Sequence, residues 1–498
     1  MSSAFLKNEV TTQVPYSVET QYEIKLRRSF VKLVWQKSYG EVMLNSGFWG
    51  ILGIKRPFPL WKIKSAWKTY IENAQYKNDH LSLYLHIPFC QKICNYCNLN
   101  RWACAGGVQL ENYMRTIEKE MRSFHAIFKG VKFKSLYVGG GTPNILTERQ
   151  IERILSRIHG NFSFAEHAEK TFECNPNHST SGKLEILADY GINRISFGIQ
   201  SLDDGILHHA NRGYQSYEMV KRNIQEVRRF PNLKWINADL LIGLRDDTPQ
   251  MVSESFVKLA QLEVDEMSLY PLSPPPDYLR KYYSSRRDLF DLQLVKKCHD
   301  LETTIVPLAK KYGYDLVRTN HSDPGKYTWN FVLEKGLLLR SMMTTYNIAD
   351  DTPSSCLGLG VGAWSMMSNI ARYRQCGTLS FCKNQAVVNG IYEWVSLKER
   401  PGRLFYVMTQ LVPMGSRLFF SRYKEKFGTD IRNDFKKALN RLQRIGALVM
   451  DDDTISFFAK TTNERFVFLL FFVDDRTVRV QFDNLSAVET MASAKCSL

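Results

Sequence analysis

Long apolar runs, secretion signals and low-complexity tracts are absent from this sequence. No run of about 18 apolar residues could span a membrane, and the polar start MSSAFLKNEVTTQ carries no apolar segment of a signal peptide. The ten cysteines are too few and too unevenly spread over 498 residues for a disulfide scaffold. We therefore expect a cytoplasmic protein that keeps its thiols reduced.

Acidic residues are fewer than basic residues. The chain has 66 Lys and Arg against 50 Asp and Glu, a formal net charge of +16, which favours an anionic partner. Nucleic acid, phospholipid headgroups and carboxylate-rich small molecules all satisfy this condition, and charge alone does not choose among them. With 44% hydrophobic and 23% charged residues the chain is typical of a globular protein, and its length predicts two to four domains.

From Leu81 onward, short β-rich runs alternate with amphipathic helical stretches. Strands separated by helices predict right-handed βαβ crossovers and a parallel sheet. The predicted fold class is therefore α/β, with a partial TIM-type (β/α)6 barrel over residues 81–315. In such a barrel the chemistry gathers at the C-terminal ends of the strands. The predicted strands are residues 81–87, 134–139, 170–175, 193–199, 235–243 and 265–272.

The segments that flank the barrel have a different character. Residues 1–80 are basic and dotted with aromatic residues, and we predict a helical extension packed on the main body, with a peripheral membrane contact as the alternative. Residues 316–460 end in three predicted helices and a small hairpin. This outline predicts an α-rich, winged-helix-like C-terminal domain, which we interpret as a structural cap rather than a DNA reader. Residues 461–498 are expected to form two strands and a tail.

Three cysteines crowd into one short loop after the first predicted strand. Cys90, Cys94 and Cys97 form a C-x3-C-x2-C pattern within YLHIPFCQKICNYCNLN. Three thiolates can hold three irons of a 4Fe–4S cube and leave the fourth iron without a protein ligand, which is typical of a catalytic metal site. A zinc site is the alternative, since Cys104 or His86 could supply a fourth ligand.

This loop resembles the signature of the radical S-adenosylmethionine (SAM) superfamily, and YLHIPFC…CNYC is similar to its oxygen-independent coproporphyrinogen III oxidase branch. The resemblance covers residues 81–460. It implies that a 4Fe–4S cluster on Cys90, Cys94 and Cys97 binds SAM through its open iron. It further implies that a reductant such as flavodoxin or ferredoxin drives cleavage of SAM to a 5′-deoxyadenosyl radical.

Further motifs follow in the family's order along the predicted strands. A glycine-rich turn, GGGTP, follows the second strand, where glycines let backbone N–H groups approach an anionic ligand. The resemblance implies that SAM is bound by Tyr84 and Tyr96 beside the nucleoside, by Gly140, Gly141 and Thr142 in the turn, by Glu173 in FECNP, by Gln200 and Asp239 at the ribose, and by Arg212 at the carboxylate.

The departures from the family's pattern concern the substrate. Leu99 stands where the oxidases carry a fourth cysteine, and the H-N-x-x-Y-W motif of the heme chaperones is absent from residues 318–331. We expect the protein to modify an anionic conjugated small molecule such as a tetrapyrrole. Methyl transfer like that of the class C radical SAM methyltransferases, with two SAM molecules, is slightly favoured. The alternatives are an oxygen-independent coproporphyrinogen III oxidase and a heme chaperone, whereas nucleic-acid binding is disfavoured.

Overall fold

The structure is a computed structural model in which helices and strands alternate along the chain. It describes residues 18–36, 56–74, 77, 80–104, 106–317, 329–333, 354–367, 370–375, 391–396, 399–411, 417–459 and 462–479. The strands are β1 (Arg56–Pro59), β2 (His80–Ile87), β3 (Phe89–Cys90), β4 (Trp102–Ala103), β5 (Lys132–Gly140), β6 (Ser163–Cys174), β7 (Arg194–Gln200), β8 (Trp235–Ile242), β9 (Glu266–Pro271), β10 (Tyr314–Val317), β11 (Trp329–Leu333), β12 (Ser354–Leu359), β13 (Trp364–Met367), β14 (Ala371–Gln375), β15 (Ile391–Ser396), β16 (Arg417–Phe419), β17 (Leu448–Met450) and β18 (Thr454–Phe457).

The helices connect these strands and flank the sheet. None of the described helices is long and apolar enough to cross a membrane. They are α1 (Val18–Gln36), α2 (Leu60–Glu72), α3 (Gly107–His125), α4 (Glu148–Asn161), α5 (Ser181–Asp189), α6 (Asp204–His209), α7 (Tyr217–Val227), α8 (Pro249–Ala260), α9 (Pro276–Tyr283), α10 (Arg287–Lys311), α11 (Glu399–Leu411), α12 (Phe420–Phe427), α13 (Ile431–Asp434), α14 (Lys436–Arg444) and α15 (Thr462–Leu469).

Parallel strands form the centre of the main sheet, in the order β2-β5-β6-β7-β8-β9. Helices α3, α4, α5, α7 and α8 lie between successive strands along the chain, as the alternation predicted. Side chains of a strand point alternately to its two faces. On β2, Leu83 and Leu85 are buried in the apolar core, whereas the Ser82 hydroxyl accepts a hydrogen bond from Ser135 of β5 on the other, polar face. The predicted partial barrel is confirmed.

Strands from outside the predicted barrel extend the same sheet at both edges. β12 pairs in parallel with β2, and β13, β14, β15 and β1 follow it in antiparallel register. On the far side, β11 and β10 add to β9. The boundaries drawn at residues 80 and 315 stay predictions, but strands from both sides of each boundary share one hydrogen-bonded sheet.

Helix α2 of the N-terminal extension is part of the barrel's apolar core. The Trp67 side chain is fully buried, and its indole N–H donates to the Tyr373 hydroxyl at 2.5 Å. Its ring also packs on Tyr70 and Phe128, with centroids 5.5 and 5.3 Å away. On the same helix Trp61 is 66% exposed. One tryptophan therefore holds the extension to the barrel while the other faces solvent.

We predict that Trp67→Ala lowers the free energy of unfolding by about 3–5 kcal/mol, because it leaves a large cavity and removes the partner of a buried hydroxyl. The matched control Trp61→Ala should change it by less than about 0.5 kcal/mol. Urea unfolding followed by circular dichroism measures both values. Equal effects of the two substitutions would show that the extension does not dock through Trp67.

The C-terminal segment contains the predicted helices and hairpin. Helices α11, α12 and α14 are accompanied by a small sheet in the order β16-β18-β17, where β17 and β18 form the hairpin. The prediction of two strands within residues 465–483 was wrong, because its described part forms α15 and a 3-10 turn, Leu470–Phe472. These residues are buried nearly all round, and a short apolar run cannot distinguish a strand from a buried helix. Residues 480–498 lie outside the described part of the chain.

A buried carboxyl group connects helix α3 to the strands at the edge of the sheet. Glu120 accepts hydrogen bonds from the Gly360 N–H at 2.9 Å and from the Tyr392 hydroxyl at 3.0 Å. Burial raises the pKa of Glu120 from 4.5 to about 7, although both hydrogen bonds act in the opposite direction. The group therefore keeps its proton in the folded protein at pH values where the unfolded chain has lost it.

Stability should consequently fall as the pH rises through the window between these two pKa values. For Glu120 alone the change is about 3 kcal/mol, since each pKa unit corresponds to about 1.4 kcal/mol. Glu120→Gln does not titrate, so its free energy of unfolding should depend less steeply on pH between 5 and 8. Chemical denaturation at a series of pH values tests this, with the exposed Glu72→Gln as the control. Parallel pH profiles for wild type and Glu120→Gln would contradict the prediction.

Candidate active site

The three cysteines of the C-x3-C-x2-C pattern lie on a loop, residues 90–97, at the C-terminal end of β2. The short strands β3 and β4 pair with each other, so the segments before and after the loop lie side by side. Within the loop the Cys97 N–H donates to the Cys94 carbonyl at 3.1 Å, which closes a turn. Cys90 is buried, whereas Cys94 and Cys97 are half-buried. We call this segment the cysteine loop.

Asparagine side chains fix the cysteine loop to the segment that follows α6. The Asn95 side chain donates to the His209 carbonyl at 2.8 Å, and the Asn211 side chain donates to the Ile93 carbonyl at 2.9 Å. Asn211 has a positive φ of 61°, a conformation that asparagine tolerates better than most residues. The middle of the loop is therefore held on either side of Cys94 by bonds from amide side chains.

The glycine-rich turn after β5 packs directly against the cysteine loop. A Cβ on Gly141 would lie 3.0 Å from the Cys90 sulfur, and Gly140 has a φ of +122°. The N–H groups of Gly141 and Thr142 donate to main-chain carbonyls before the loop at 2.8 and 2.9 Å, and that of Gly140 donates to Glu173 at 3.1 Å. These N–H groups are thus engaged within the chain, and the binding of SAM by Gly140, Gly141 and Thr142 stays a prediction. The glycines are needed for close contact between two chain segments.

The cysteine sulfurs fit a three-thiolate iron–sulfur site. All three line one cleft of about 160 Å³, and the Thr142 hydroxyl donates to the Cys90 sulfur at 3.3 Å. Among the described residues no three metal-binding side chains converge on a single ion. A 4Fe–4S cube does not require such convergence, because each thiolate binds a different iron. Burial raises the pKa of the Cys97 thiol to about 12, so binding a metal there must release a proton.

The zinc alternative needs a fourth ligand, and His86 is poorly suited to that role. One ring nitrogen is hydrogen-bonded to the Tyr84 hydroxyl at 2.7 Å and the other to the Asn100 carbonyl at 2.7 Å. Burial lowers the pKa of His86 to about 4, so the ring is neutral and both nitrogens are already engaged. The other candidate, Cys104, is half-buried, and its N–H donates to the Cys90 carbonyl at 2.9 Å.

Glu173 lies on β6 and points into the same cleft. Its carboxylate accepts hydrogen bonds from the Tyr137 hydroxyl at 2.6 Å and from the Gly140 N–H at 3.1 Å. The pKa of Glu173 is raised to about 7. Burial is the main cause and the nearby Asp239 carboxyl adds to it, while the two hydrogen bonds oppose the shift. A cationic ligand in this cleft would therefore stabilise the charged form of Glu173.

Asp239 lies two strands away, on β8, in a buried network of small polar side chains. It accepts hydrogen bonds from the Asn237 amide at 2.9 Å and from the Ser196 hydroxyl at 3.2 Å. Asn237 also donates to Ser196 at 2.9 Å and accepts from Ser268 at 3.1 Å. Burial raises the pKa of Asp239 despite these bonds. The network holds the carboxyl group in one orientation at the cleft wall.

Arg212 brings a buried positive charge to the same cleft. Its guanidinium donates to the Gly198 carbonyl at 2.5 Å and to the Gln215 side chain at 2.7 Å, and it lies 3.7 Å from the Cys94 sulfur. Its Nε atom is buried without a hydrogen-bond partner in the part of the chain that the structure describes. Burial opposes the charge, but Tyr96 and Cys94 keep the pKa of Arg212 above its ordinary value. The residue stays protonated.

Nearly all residues predicted from the sequence meet in this cleft. The exception is Tyr84, which packs inside the barrel against Tyr137, hydrogen-bonds to His86 and is not among the residues lining the cleft. Gln200 reaches its position with a positive φ of 72° at the end of β7. Those that line the cleft are Cys90, Cys94, Tyr96, Cys97, Gly140, Gly141, Thr142, Glu173, Gln200, Arg212 and Asp239.

Several contributing residues were not singled out from the sequence. Tyr137 and Gln215 hold Glu173 and Arg212 in place, while Ser196 and Asn175 form part of the cleft wall. The period of two along a strand could have revealed some of them. Tyr137 lies two residues before Gly139, the first glycine of the glycine-rich turn, and Ser196 lies two residues before Gly198, which lines the cleft. Gln215 carries no such signal, because it lies in a loop.

The comparisons with known proteins agree with this site. The family model of the radical SAM superfamily matches residues 84–286. The oxygen-independent coproporphyrinogen III oxidase of Salmonella typhimurium is 29% identical over 299 residues, which cover 59% of this chain and 63% of that protein. The heme chaperone HemW of Lactococcus lactis is also 29% identical over 299 residues, covering 59% of this chain and 72% of that protein.

A solved structure has the same fold over most of the chain. It is the structure of coproporphyrinogen III oxidase (HemN) from Escherichia coli, with a TM-score of 0.59 and 22% sequence identity. The similarity covers 84% of this chain and 93% of that one. The sequence match, in contrast, spans less than two thirds of the Salmonella oxidase. The fold is thus shared, residues 84–286 match the radical SAM family model, and the activity requires its own argument.

Proposed function

We propose that this protein, which contains a radical SAM domain over residues 84–286, cleaves SAM reductively and oxidises an anionic tetrapyrrole substrate of the coproporphyrinogen type. One observation carries the proposal. Three cysteine sulfurs, a protonated arginine and two half-buried carboxyl groups line a single cleft at the C-terminal ends of the barrel strands. This set offers ligands for a cluster and complementary charges for the amino-acid part of SAM.

Cys90, Cys94 and Cys97 would hold a 4Fe–4S cluster. When bound, the cluster and SAM supply a carbon-centred radical that abstracts hydrogen from a substrate. The chain's own contribution is to position the ligands. Thr142 donates to the Cys90 sulfur at 3.3 Å, and the Arg212 guanidinium lies 3.7 Å from the Cys94 sulfur, so both add positive electrostatic potential beside thiolates.

The polar groups of the cleft have complementary roles toward SAM. Glu173 is suited to accept from the ammonium group, because a cation beside it offsets the burial that raises its pKa to about 7. Arg212, which lines the cleft and whose Nε has no hydrogen-bond partner among the described residues, can donate to the carboxylate. Asp239, oriented by Asn237 and Ser196, can accept from ribose hydroxyls. Gln200 lines the cleft between these groups.

The similarity to known proteins decides which reaction we propose. The match to oxygen-independent coproporphyrinogen III oxidases favours oxidation over the methyl transfer that the sequence analysis preferred. In an oxidation of this kind, a propionate side chain loses a hydrogen atom and carbon dioxide, and one electron passes to an acceptor. A flavodoxin or ferredoxin would deliver the electron that cleaves SAM. Leu99, at the position of the oxidases' fourth cysteine, lines the cleft and is 50% exposed.

A heme carrier is the second candidate, because the match to HemW is of the same identity. Isotope labelling separates the reactions. With coproporphyrinogen III deuterated in its propionate side chains, an oxidase transfers deuterium into 5′-deoxyadenosine and releases carbon dioxide. With SAM deuterated in its methyl group, a class C methyltransferase transfers that label instead and also yields S-adenosylhomocysteine. A carrier cleaves little SAM with either compound. Label from the SAM methyl group in 5′-deoxyadenosine would overturn the proposal.

A further inference from the structure

A second arginine of the cleft lies beside the last cysteine of the cysteine loop. Arg101 follows this loop closely in sequence, and its side chain lines the cleft. Its guanidinium donates to the Cys97 carbonyl at 2.5 Å. Its Nε is buried and has no hydrogen-bond partner among the described residues. A guanidinium group stays protonated in proteins, so Arg101 brings a permanent positive charge to the cleft.

The main chain is fixed on both sides of Arg101. The carbonyl of Asn100 accepts a hydrogen bond from the His86 ring at 2.7 Å. On the other side, the Trp102 N–H donates to the Pro88 carbonyl at 2.7 Å, where β4 begins beside β3. The backbone at Arg101 therefore cannot move away from the cysteine loop without breaking these bonds. This anchoring holds the guanidinium at the end of the loop.

The two arginines of the cleft differ in the groups that they bind. Polar groups lie beside the sulfurs of Cys90 and Cys94, and one of them is the guanidinium of Arg212. In the proposed function the carboxylate of SAM offsets the charge of Arg212. Arg101, in contrast, donates to a neutral carbonyl, and within the described residues it forms no ion pair. Its charge therefore acts on the group that the three thiolates hold.

A positive charge beside an iron–sulfur cluster makes the cluster easier to reduce. Reduction adds one electron, and a nearby cation stabilises the added negative charge. The reduction potentials of iron–sulfur clusters accordingly depend on charge, hydrogen bonds and exposure to water. Arg101 is half-buried, so water screens its charge less than that of an exposed side chain. The exposed Lys92, which lines the same cleft, provides the comparison.

We infer that Arg101 is a positioning residue that holds the end of the cysteine loop and raises the reduction potential of the cluster. The inference rests on the proposed function and specifies what controls its one-electron step. One electron passes from the flavodoxin or ferredoxin to the cluster, and the guanidinium keeps its proton throughout. Arg101 thus determines how readily the cluster accepts the electron, whereas Arg212 binds SAM.

The test is an anaerobic redox titration of the iron-reconstituted full chain without SAM, followed by the electron paramagnetic resonance signal of the reduced cluster. Arg101→Gln should lower the equilibrium constant for one-electron reduction about tenfold, which corresponds to about 59 mV in midpoint potential. Arg101→Lys should retain most of the wild-type potential, because it keeps the charge. The matched control Lys92→Gln removes an exposed charge from the same cleft and should change the constant less than about threefold.

A further variant covers the case in which Arg101→Gln binds less iron than the wild type. In Arg101→His the side chain gains its charge as the pH falls through about 6.5, so the potential should depend more steeply on pH than in the wild type. An unchanged potential in Arg101→Gln with full iron content, equal shifts in Arg101→Gln and Arg101→Lys, or a wild-type pH profile in Arg101→His would overturn the inference. Each of these results leaves the proposed function intact if the wild type cleaves SAM with dithionite, whereas absence of that cleavage would overturn both.

Discussion

Replacing Cys90, Cys94 and Cys97 together by Ala should reduce the iron bound after anaerobic reconstitution from about four per chain to none. The reason is that these thiols are the iron ligands that the cleft offers, with Arg212 and Thr142 as the polar groups beside them. Iron and acid-labile sulfide analysis measures the loss, and the broad visible absorption that dithionite bleaches should disappear with it.

Single substitutions of other cysteines provide the matched controls. Cys104 is half-buried close to the loop, and Cys298 is buried on α10. Cys104→Ala and Cys298→Ala should each retain the full iron content. Iron that survives the triple substitution, or that is lost in Cys104→Ala, would show that the ligands have been assigned to the wrong cysteines.

The second large effect is expected at Arg212. Arg212→Ala should raise the KM for SAM in the formation of 5′-deoxyadenosine by about 10–100-fold, the range that corresponds to one hydrogen bond between charged groups. Arg212→Lys should lie between this variant and the wild type, because lysine keeps the charge but cannot reproduce the planar fork. Initial rates at varied SAM concentrations give the values.

The structure also gives this test its controls. Since Arg212 bonds to Gly198 and Gln215, the alanine variant should be checked for iron content and thermal stability before its kinetics are interpreted. Arg229 is exposed on the surface, and Arg229→Ala should leave the KM unchanged. A normal KM in Arg212→Ala would mean that another residue binds the carboxylate of SAM.

The barrel and most of its site could be predicted because their signals are local. Each strand of the parallel sheet is a short β-rich run. The parallel order of the strands places the residues at their C-terminal ends around one cleft. Residues as far apart in sequence as Cys90 and Asp239 are thus brought together without any knowledge of long-range contacts.

What could not be predicted depends on contacts between distant segments. β12 is a six-residue strand, and no local pattern reveals its pairing with β2. The contacts of Arg372 and Arg374 with the Trp364 ring depend on the antiparallel register of β13 and β14. The donors of the glycine-rich turn were assigned to a ligand because the sequence did not show that the main chain before the cysteine loop accepts them.

The central claim is that the cysteine loop and the cleft beside it carry radical SAM chemistry. The most direct test incubates the reconstituted protein with SAM and dithionite, without any other substrate, and quantifies 5′-deoxyadenosine and methionine by liquid chromatography. We predict that both products form in equal amounts, and that neither forms with the triple Cys→Ala variant or without dithionite. Protein that carries four irons and yet yields no 5′-deoxyadenosine would contradict the account.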